Sequence, residues 1–408
     1  MKHIRDPIYS EFIELDDLAL KVVSHPYFQR MRRISHLGLA HYVYPGATHT
    51  RFSHMVGAHH LATKFLNTFK RKGYEIPRST YDAVRLAALL HDIGHTSLSH
   101  ALEFTILPFR HETMGEAVLK LKLRDVLGDY LTDTILDIFA GKGEPFAKEL
   151  VESQMDVDRL DYLRRDAYYC GVDYGLVDVE RIIQTSELYE LPQGRTLVIV
   201  EKGMFAVESY IIARYLMYWS VYYHKTNLGF QALLFSLFKR VRTLHREGGI
   251  WMPEPLRRLM EAKTPEEAVE PLYWVDDPLI FYTIQTWSRS EDPILSDLAT
   301  RLLNRIRLKA VEIVGNFLDV YRDLADICEA LGFDPDFYIV ERTPKDVAYS
   351  PYDPHSDEHI KVLKDGKLKE LSSVMPTDTL KSLSREVMRK YLFVPAECWE
   401  RYMASKRL

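Results

Sequence analysis

Hydrophobic and polar residues alternate with a helical period along most of this chain. Apolar positions recur every three or four residues, which places them on one face of an α-helix. This spacing predicts helices at residues 79–92, 113–127, 157–169, 297–331 (more than one helix) and 377–392. The apolar, tyrosine-rich stretch 209–225 is interrupted by Arg214 and is too short and too polar for a membrane span. We expect it to form a buried helix, either in the core or at an interface, in a mainly α protein.

Strand signals are few, and they occur in pairs around turn residues. Residues 187–201 predict a β-hairpin that turns at 192–194, and residues 360–371 predict a second one around 365–366. Residues 333–358, which are rich in proline and aspartate, predict a linker. We therefore place a boundary near residue 332, between a large helical region at 1–332 and a small C-terminal α+β appendage at 333–408.

Composition and charge narrow the classes of function. The chain has 53 basic and 58 acidic residues, so its net charge of −5 gives no reason to expect nucleic acid as the main partner. The N-terminus lacks the features of a secretory signal, and we expect a cytoplasmic protein without a membrane partner. The three cysteines, Cys170, Cys328 and Cys398, are widely spaced and suit neither a disulfide framework nor a cysteine zinc site. Any metal ion must therefore be bound by histidine and carboxylate.

Histidine is concentrated in the first part of the chain, where 12 of the 16 histidines lie in residues 1–111. In LLHDIGHTSLSH (89–100), a predicted helix presents His91 and Asp92 at its end. Gly94 then allows a turn that brings His95 and His100 back towards them. Imidazole and carboxylate together suit a divalent ion such as zinc, manganese, iron or nickel, while magnesium is less favoured by nitrogen ligands.

Further ligands must come from other segments, and two segments offer them. His54 lies near the start of a predicted helix at 51–66, and Asp158 begins a polar stripe that continues through residues 161, 162, 165 and 166. Such a stripe faces either water, as a solvated and salt-bridged surface, or a wet internal cavity. The sequence alone leaves both interpretations open.

The order of these motifs resembles that of a known enzyme family. RFSH (51–54), HDIGHTSLSH (91–100), HE (111–112) and DVDRLDYLRRD (156–166) resemble the HD-domain metal-dependent phosphohydrolases. More narrowly, they resemble the deoxynucleoside triphosphate (dNTP) triphosphohydrolase branch. The similarity begins at residue 25, returns at YYHKT (222–226) and covers roughly the first 230 residues. It implies an HD-domain helical bundle with a few short β-hairpins and an HD core at about 45–175.

The resemblance also implies a set of site residues. The implied ligands of one divalent ion per subunit (Mn, Mg, Zn, Fe or Ni) are His54, His91, Asp92 and Asp158. The implied catalytic residues on the phosphate side are His95, His100 and His111, with Glu103 as a carboxylate that orients one of these histidines. The implied substrate-binding residues are Arg51 and Arg159 for phosphate, Tyr162 and Asp166 for the sugar and its 3′-hydroxyl, Leu37 and Tyr222 over sugar and base, and His36, where the family commonly has glutamine.

The implied reaction converts a dNTP and water to a deoxynucleoside and triphosphate. Ligand histidines must be neutral, whereas a histidine that protonates the leaving oxygen must be charged. We therefore expect lowered pKa values for His54 and His91, and no lowering for His95. The family relation also implies a homo-oligomer, either a dimer or a tetramer.

Regulation and substrate leave alternatives open. Gln29 and Arg32 match a segment that binds an activating nucleotide in some relatives, but Ser24 stands where an acidic guanine contact is expected. A nucleotidase or phosphodiesterase acting on monophosphates, cyclic nucleotides or alarmones would use the same ligands. A nucleic-acid-binding module would use the basic runs 69–74 and 239–249, but these lack the interleaved aromatic residues of a stacking platform.

Overall fold

The computed structural model describes residues 1–313, 315–346, 359–385 and 387–406, and it is mainly helical. The predicted linker falls partly on 347–358, outside the described residues. The α-helices are α1 (Asp17–Ser24), α2 (Pro26–Arg30), α3 (Arg51–Arg71), α4 (Arg78–Leu90), α5 (His111–Val118), α6 (Arg124–Leu127), α7 (Asp129–Phe139), α8 (Pro145–Val151), α9 (Val157–Cys170), α10 (Val179–Thr185), α11 (Met204–Met217), α12 (Lys225–Arg246), α13 (Glu254–Glu261), α14 (Pro265–Trp274), α15 (Asp277–Trp287), α16 (Pro293–Leu303), α17 (Phe317–Ala330), α18 (Pro335–Tyr338), α19 (Leu371–Val374), α20 (Thr379–Leu383) and α21 (Ala396–Ser405). Short 3₁₀ turns occur at Met31–Arg33, Gly38–Tyr42, Ser99–Ala101 and Glu201–Gly203, and π-helical turns at Leu119–Leu123 and Tyr218–Tyr222.

The strands form small sheets around this helical body. They are β1 (Lys2–Ile4), β2 (Ile13–Leu15), β3 (Ser186–Leu191), β4 (Gly194–Val200), β5 (Lys309–Glu312), β6 (Val340–Arg342), β7 (Lys345–Asp346), β8 (Lys361–Lys364), β9 (Lys367–Glu370), β10 (Val387–Met388) and β11 (Tyr391–Val394). The sheet orders are β1-β2, β10-β7, β5-β11-β6 and β3-β4-β8-β9. Both predicted hairpins are confirmed, since β3 pairs antiparallel with β4 and β8 with β9.

The prediction of one helix at 377–392 is wrong. Only α20 forms there, and the chain continues as β10 and β11. All four residues of β11 are buried, because the strand lies between β5 and β6 in its sheet. A continuous apolar run fits a fully buried strand as well as a helix, so periodicity alone could not distinguish them. The predicted helical region 297–331 does contain more than one helix, with β5 between α16 and α17.

The apolar stretch at 209–225 is divided between α11, a π turn and the start of α12. Its buried residues, including Tyr210 and Met217, join the hydrophobic core. No described helix is long and apolar enough to cross a bilayer. Strands on the two sides of residue 332 pair with each other, as in β4 with β8, and the domain boundary stays a prediction.

Three helices at the centre of the molecule determine where the polar motifs meet. α3 packs against both α4 and α9, and the core side of α3 carries Met55, Ala58, Leu61 and Phe65 with at most 1% exposure. Gly57 lies on the side of α3 that faces α9, where a Cβ would overlap the Asp161 carboxylate. The missing side chain therefore permits a close approach of the two helices.

Candidate metal centre and active site

The first turn of α3 and the end of α4 bring two histidines together. His54 is fully buried one turn into α3, and His91 is the residue that caps the C-terminus of α4. Their Nε2 atoms lie 3.2 Å apart. The His91 Nδ1 atom lies 2.9 Å from the Ala88 carbonyl oxygen, so Nδ1 is the donor and Nε2 is directed towards His54.

Helix α9 contributes the third group of this cluster. Asp156 caps the helix by accepting a hydrogen bond from the Arg159 backbone amide, which places Asp158 in the first turn. The Asp158 Oδ1 atom lies 3.0 Å from His54 Nε2 and 3.5 Å from His91 Nε2. Asp92 completes the cluster, with carboxylate oxygens 3.6 Å from His54 Nε2 and 3.5 Å from His91 Nε2.

This geometry fits a divalent cation. Ligand atoms bound about 2.1 Å from one ion lie about 3.0 Å apart in octahedral and about 3.4 Å apart in tetrahedral coordination. The distances among His54, His91 and Asp158 span 3.0–3.5 Å, and the three residues form a group that could hold a metal ion. Imidazole and carboxylate are also the donor types that zinc, iron, manganese and nickel accept.

The carboxylates that face His54 and His91 shift the pKa values of these histidines in the direction opposite to the expectation. Burial alone would lower the pKa of His54, but hydrogen bonds to Asp158 and Asp161 outweigh it and raise the pKa to about 10. Burial is likewise outweighed at His91, whose pKa is raised by Asp92 and Asp158. The prediction considered only the effect of a bound ion on these pKa values and left out the effect of the facing carboxylates. At His54 and His91, binding of a divalent cation would displace these protons.

The expectation for His95 is also wrong. Its pKa is lowered well below the ordinary value, first because the ring is buried and then because Arg51 and His111 lie nearby. The ring stacks on His111 at a centroid distance of 3.8 Å. His95 Nε2 lies 3.3 Å from the Asp92 carboxylate, so this residue connects the cluster to the neighbouring histidines.

Glu103 orients two histidines, where the resemblance implied one. Its Oε2 lies 2.7 Å from His100 Nδ1, and its Oε1 lies 2.8 Å from His111 Nδ1. Burial opposes the charged carboxylate, but the hydrogen bonds to His100 and His111 keep the pKa of Glu103 far below its usual range. The centroid of the His95 ring lies 4.8 Å from that of His100 and 3.8 Å from that of His111. The three histidines implied for the phosphate side therefore form one cluster.

The turn expected at Gly94 is present, since residues 91–94 form a turn and the His95 amide donates to the Asp92 carbonyl oxygen over 3.1 Å; the same segment also packs closely on Gly115. Gly94 does not adopt a positive φ. A Cβ on Gly94 would overlap the His111 carbonyl oxygen and the Gly115 amide, so the residue is required by packing against α5. This contact fixes the loop after His91 against the helix that begins at His111.

The two arginines line the cavity but also have partners within the protein. Arg51 forms a buried ion pair with Asp92 and donates from Nε to Ser99 Oγ over 2.8 Å. Arg159 pairs with Asp156 and donates to the Ser153 carbonyl oxygen. Both guanidinium groups therefore hold a positive charge in a fixed position beside the cluster of His54, His91, Asp92 and Asp158.

The other end of the cavity is aromatic. Tyr162 and Tyr222 line it with ring centroids 6.1 Å apart, and Tyr222 is the last residue of a π turn. The Tyr222 hydroxyl donates to Asp166 Oδ2 over 2.8 Å, while Asp166 Oδ1 lies 2.7 Å from His49 Nε2. Asp166 is 1% exposed, and both its oxygens already have a partner. His36 Nε2 lies 3.7 Å from the same carboxylate.

All of the site residues that the resemblance implies line one cavity, except His54 and Glu103. The cavity has a volume of about 620 Å³, within the usual range for small-molecule sites. From the implied set it is lined by His36, Leu37, Arg51, His91, Asp92, His95, His100, His111, Asp158, Arg159, Tyr162, Asp166 and Tyr222. His54 lies behind His91 and Asp158, and Glu103 lies behind His100 and His111. The stripe on α9 therefore faces an internal cavity and buried partners, and not solvent.

Three further residues support the site, although the sequence reasoning did not assign them a role. Asp161 accepts from His54 Nδ1 at 2.8 Å, and His49 contacts Asp166. Asp277, at the start of α15, accepts from the Leu98 amide at 2.8 Å and so fixes the loop that follows His95. Asp161 lies in the polar stripe and His49 lies two residues before RFSH, which are weak signals, whereas no local signal indicates Asp277.

Comparisons with known proteins identify the family of this chain. The family model described as HD domain matches residues 51–166, and the one described as HD associated region matches residues 177–241. The uncharacterized protein YwfO of Bacillus subtilis is 34% identical over 386 residues, covering 91% of this chain and 87% of the relative. The deoxynucleoside triphosphate triphosphohydrolase SAMHD1 homolog of Dictyostelium discoideum is 29% identical over 256 residues, covering 58% of this chain and 49% of the relative. The chain thus spans about half the length of that enzyme.

The chain belongs to the HD-domain phosphohydrolases. Within this family its similarity is to the dNTPase-like branch, which confirms the resemblance of the motifs. The crystal structure of a phosphohydrolase from Bacteroides thetaiotaomicron has the same fold, with a TM-score of 0.86 and 31% identity, covering 96% of this chain and 99% of that one. HD domains bind divalent metal ions, and the histidine–aspartate groups described above could hold one.

Proposed function

We propose that this protein hydrolyses a deoxynucleoside triphosphate to a deoxynucleoside and triphosphate. One observation carries the proposal: a single cavity of about 620 Å³ joins the cluster of His91, Asp92 and Asp158 to an end lined by Tyr162 and Tyr222. Arg51 and Arg159 beside the cluster suit a polyphosphate, and the aromatic end suits a nucleoside. The similarity to a dNTP triphosphohydrolase from Dictyostelium supports the same substrate class.

The ligands of the ion are His54, His91, Asp92 and Asp158 in this proposal. A divalent cation held by these four residues would polarise the phosphoryl group and activate a water for attack. Arg51 and Arg159 face the cavity, where their internal partners hold them in fixed positions to neutralise phosphate oxygens. In the reaction the water oxygen forms a bond to the α-phosphorus, and the bond from that phosphorus to the 5′-oxygen breaks.

The departing 5′-oxygen must receive a proton. His100 and His111 are better placed for this step than His95, because the Glu103 carboxylate contacts their Nδ1 atoms and leaves each Nε2 as the atom that exchanges protons. His95, which is buried and has a lowered pKa, would remain neutral and pack beside them. This assignment modifies the role that the resemblance implied for His95.

At the aromatic end, Tyr162 packs against the sugar and Leu37 and Tyr222 close over sugar and base. Asp166 accepts from the 3′-hydroxyl with lone pairs that Tyr222 and His49 leave available. His36 lies beside this carboxylate and contacts the same part of the substrate.

The test is product analysis after incubation with the four dNTPs and Mn²⁺ or Mg²⁺. We expect deoxynucleosides and triphosphate from the wild type, none from Asp158→Ala, and wild-type rates from Asp173→Ala, which removes an exposed aspartate outside the cavity. Absence of both products with every metal, and with added nucleotides as activators, would refute the proposal. The same assay with nucleoside monophosphates and cyclic nucleotides tests the alternative, since orthophosphate from the former or a linear monophosphate from the latter would identify a nucleotidase or a phosphodiesterase.

A nucleic-acid-binding function has less support. In the run 239–249, Arg240 pairs with Asp292 and Arg242 donates to the Phe104 carbonyl oxygen. These basic side chains are engaged within the fold and do not form a free cationic stripe. A homo-oligomer and an activating nucleotide stay predictions, which sedimentation with and without GTP or dNTPs would test.

A further inference from the structure

The segment that precedes the first helix contacts the central helices at buried positions. Residues 5–12, here termed the N-terminal strap, connect β1 to β2. Asp6 and Tyr9 of the strap are each 6% exposed. The strap lies outside residues 51–166, which match the HD domain, yet its two buried polar side chains both point to α9.

Both contacts converge on Asp161. The Tyr9 hydroxyl donates to Asp161 Oδ1 over 2.5 Å. Asp6 Oδ2 accepts from Arg165 Nη1 over 2.9 Å, and the same guanidinium donates to both Asp161 oxygens over 2.8 and 2.9 Å. The strap is held further by Arg164, which donates to the Ile8 carbonyl oxygen over 3.2 Å.

Asp161 is fully buried, and its orientation is set by four hydrogen bonds. Oδ1 accepts from Tyr9 and from Arg165, while Oδ2 accepts from Arg165 and from His54 Nδ1. Two donors on each oxygen saturate the in-plane lone pairs of a carboxylate. The carboxylate plane is therefore fixed from both edges, one of which depends on the strap.

The fourth hydrogen bond transmits this orientation to the cluster. Because His54 donates from Nδ1 to Asp161, its Nε2 is left as the atom that faces His91 and Asp158. Such a partner behind a ligand histidine fixes the tautomer and the ring plane. A rotated Asp161 would rotate the His54 ring and move Nε2 away from the other two groups.

We propose that the N-terminal strap positions the metal ligand His54 through Tyr9 and Asp161, so that Tyr9 is a positioning residue of the metal centre. This inference rests on the metal site of the proposed function, but not on its substrate. Without the Tyr9 hydroxyl, Asp161 Oδ1 keeps a single donor, Arg165, on the edge remote from His54. The strap thereby makes metal affinity depend on a segment outside the HD core.

The test compares two tyrosine-to-phenylalanine variants of the full chain. Tyr9→Phe removes the hydroxyl and keeps the ring that packs on His60 at 4.7 Å. The matched control is Tyr74→Phe, which also removes a tyrosine-to-carboxylate hydrogen bond, to Glu187 over 2.8 Å, between residues that do not line the cavity. Metal affinity is measured by competition with a chromophoric chelator, and the ligand field by the visible spectrum of the Co²⁺-loaded protein.

We expect Tyr9→Phe to weaken metal binding by about 3- to 10-fold, less than the loss of a direct partner of a ligand. Its Co²⁺ spectrum should shift, whereas Tyr74→Phe should leave affinity and spectrum unchanged. Equal affinity in Tyr9→Phe and wild type would overturn the inference, as would an equal loss in both variants, which would indicate general destabilisation.

Two other outcomes are also decisive. If Tyr9→Phe does not fold, Asp6→Asn is measured in its place by the same criteria, since it weakens the hold of the strap on Arg165. A wild type that binds no divalent ion refutes the metal site and the inference together. A wild type that binds metal but hydrolyses no dNTP refutes only the proposed substrate.

Discussion

Replacement of Gly57 by alanine tests whether the spacing of α3 and α9 holds the site together. Gly57 lies in the interior of α3, one turn after His54, and a Cβ there would overlap Asp161 Oδ1 and lie 2.5 Å from Arg165 Nη2. Both partners are fully buried and belong to one ion pair, so neither can move into solvent. The helices must separate, or the ion pair must break.

The magnitude follows from one stabilising and two destabilising contributions. Alanine is about 1 kcal/mol better than glycine in a helix interior, which alone would stabilise the variant. Overpacking costs about 1–3 kcal/mol, and displacing a hydrogen bond to a buried charged group costs about 1.5–3 kcal/mol more. We therefore expect Gly57→Ala to lower the free energy of unfolding by about 1.5–5 kcal/mol. It should also weaken metal binding, because His54 and Asp158 lie on the two separated helices.

The assay is urea unfolding at equilibrium, with Gly115→Ala as the matched control. Gly115 is a buried glycine inside α5, but its added Cβ would meet its nearest neighbours at 3.7 Å, an ordinary contact distance. The gain in helix propensity is the same for both substitutions, so a difference in stability between them must come from packing. A Gly57→Ala protein as stable as Gly115→Ala, or more stable than wild type, would show that the close approach of α3 and α9 is not limiting.

Three further predictions concern stability and the metal ion. Burial lowers the pKa of His59 from 6.5 to about 4, so the contribution of this residue to stability is present above pH 6.5 and is lost as the pH falls towards 4. In urea unfolding, the stability advantage of wild type over His59→Asn should therefore shrink by about 2 kcal/mol from pH 7 to pH 5. A constant difference would contradict this. Asp277→Ala leaves the Leu98 amide, the Ser97 hydroxyl and the Ser35 amide without their acceptor. It should lower the free energy of unfolding by about 3 kcal/mol and speed amide hydrogen exchange at Leu98. Divalent metal at 100 times its Kd should stabilise wild type by about 2.7 kcal/mol and leave Asp158→Ala unchanged, as followed by thermal unfolding with and without chelator.

Much of the fold was predictable because its signals are local. The helices α3, α4 and α9 and both hairpins follow from apolar spacing and turn residues, which depend on neighbours a few positions away. The strand at β11 was not predictable, because its four apolar residues fit a helix until β5 and β6 are seen to flank it. These two partners lie on either side of the predicted boundary at residue 332.

The sequence by itself determined which residue types and motifs could build a metal-dependent phosphohydrolase. Only the tertiary structure decided which of them meet, as at His54 with Asp161 and at Leu98 with Asp277, pairs separated by 107 and 179 positions. It also reversed the expected pKa order of His54 and His95, because the charges that face a buried ring set its proton affinity. Those charges come from other helices, and the packing of these helices is not written in any local pattern.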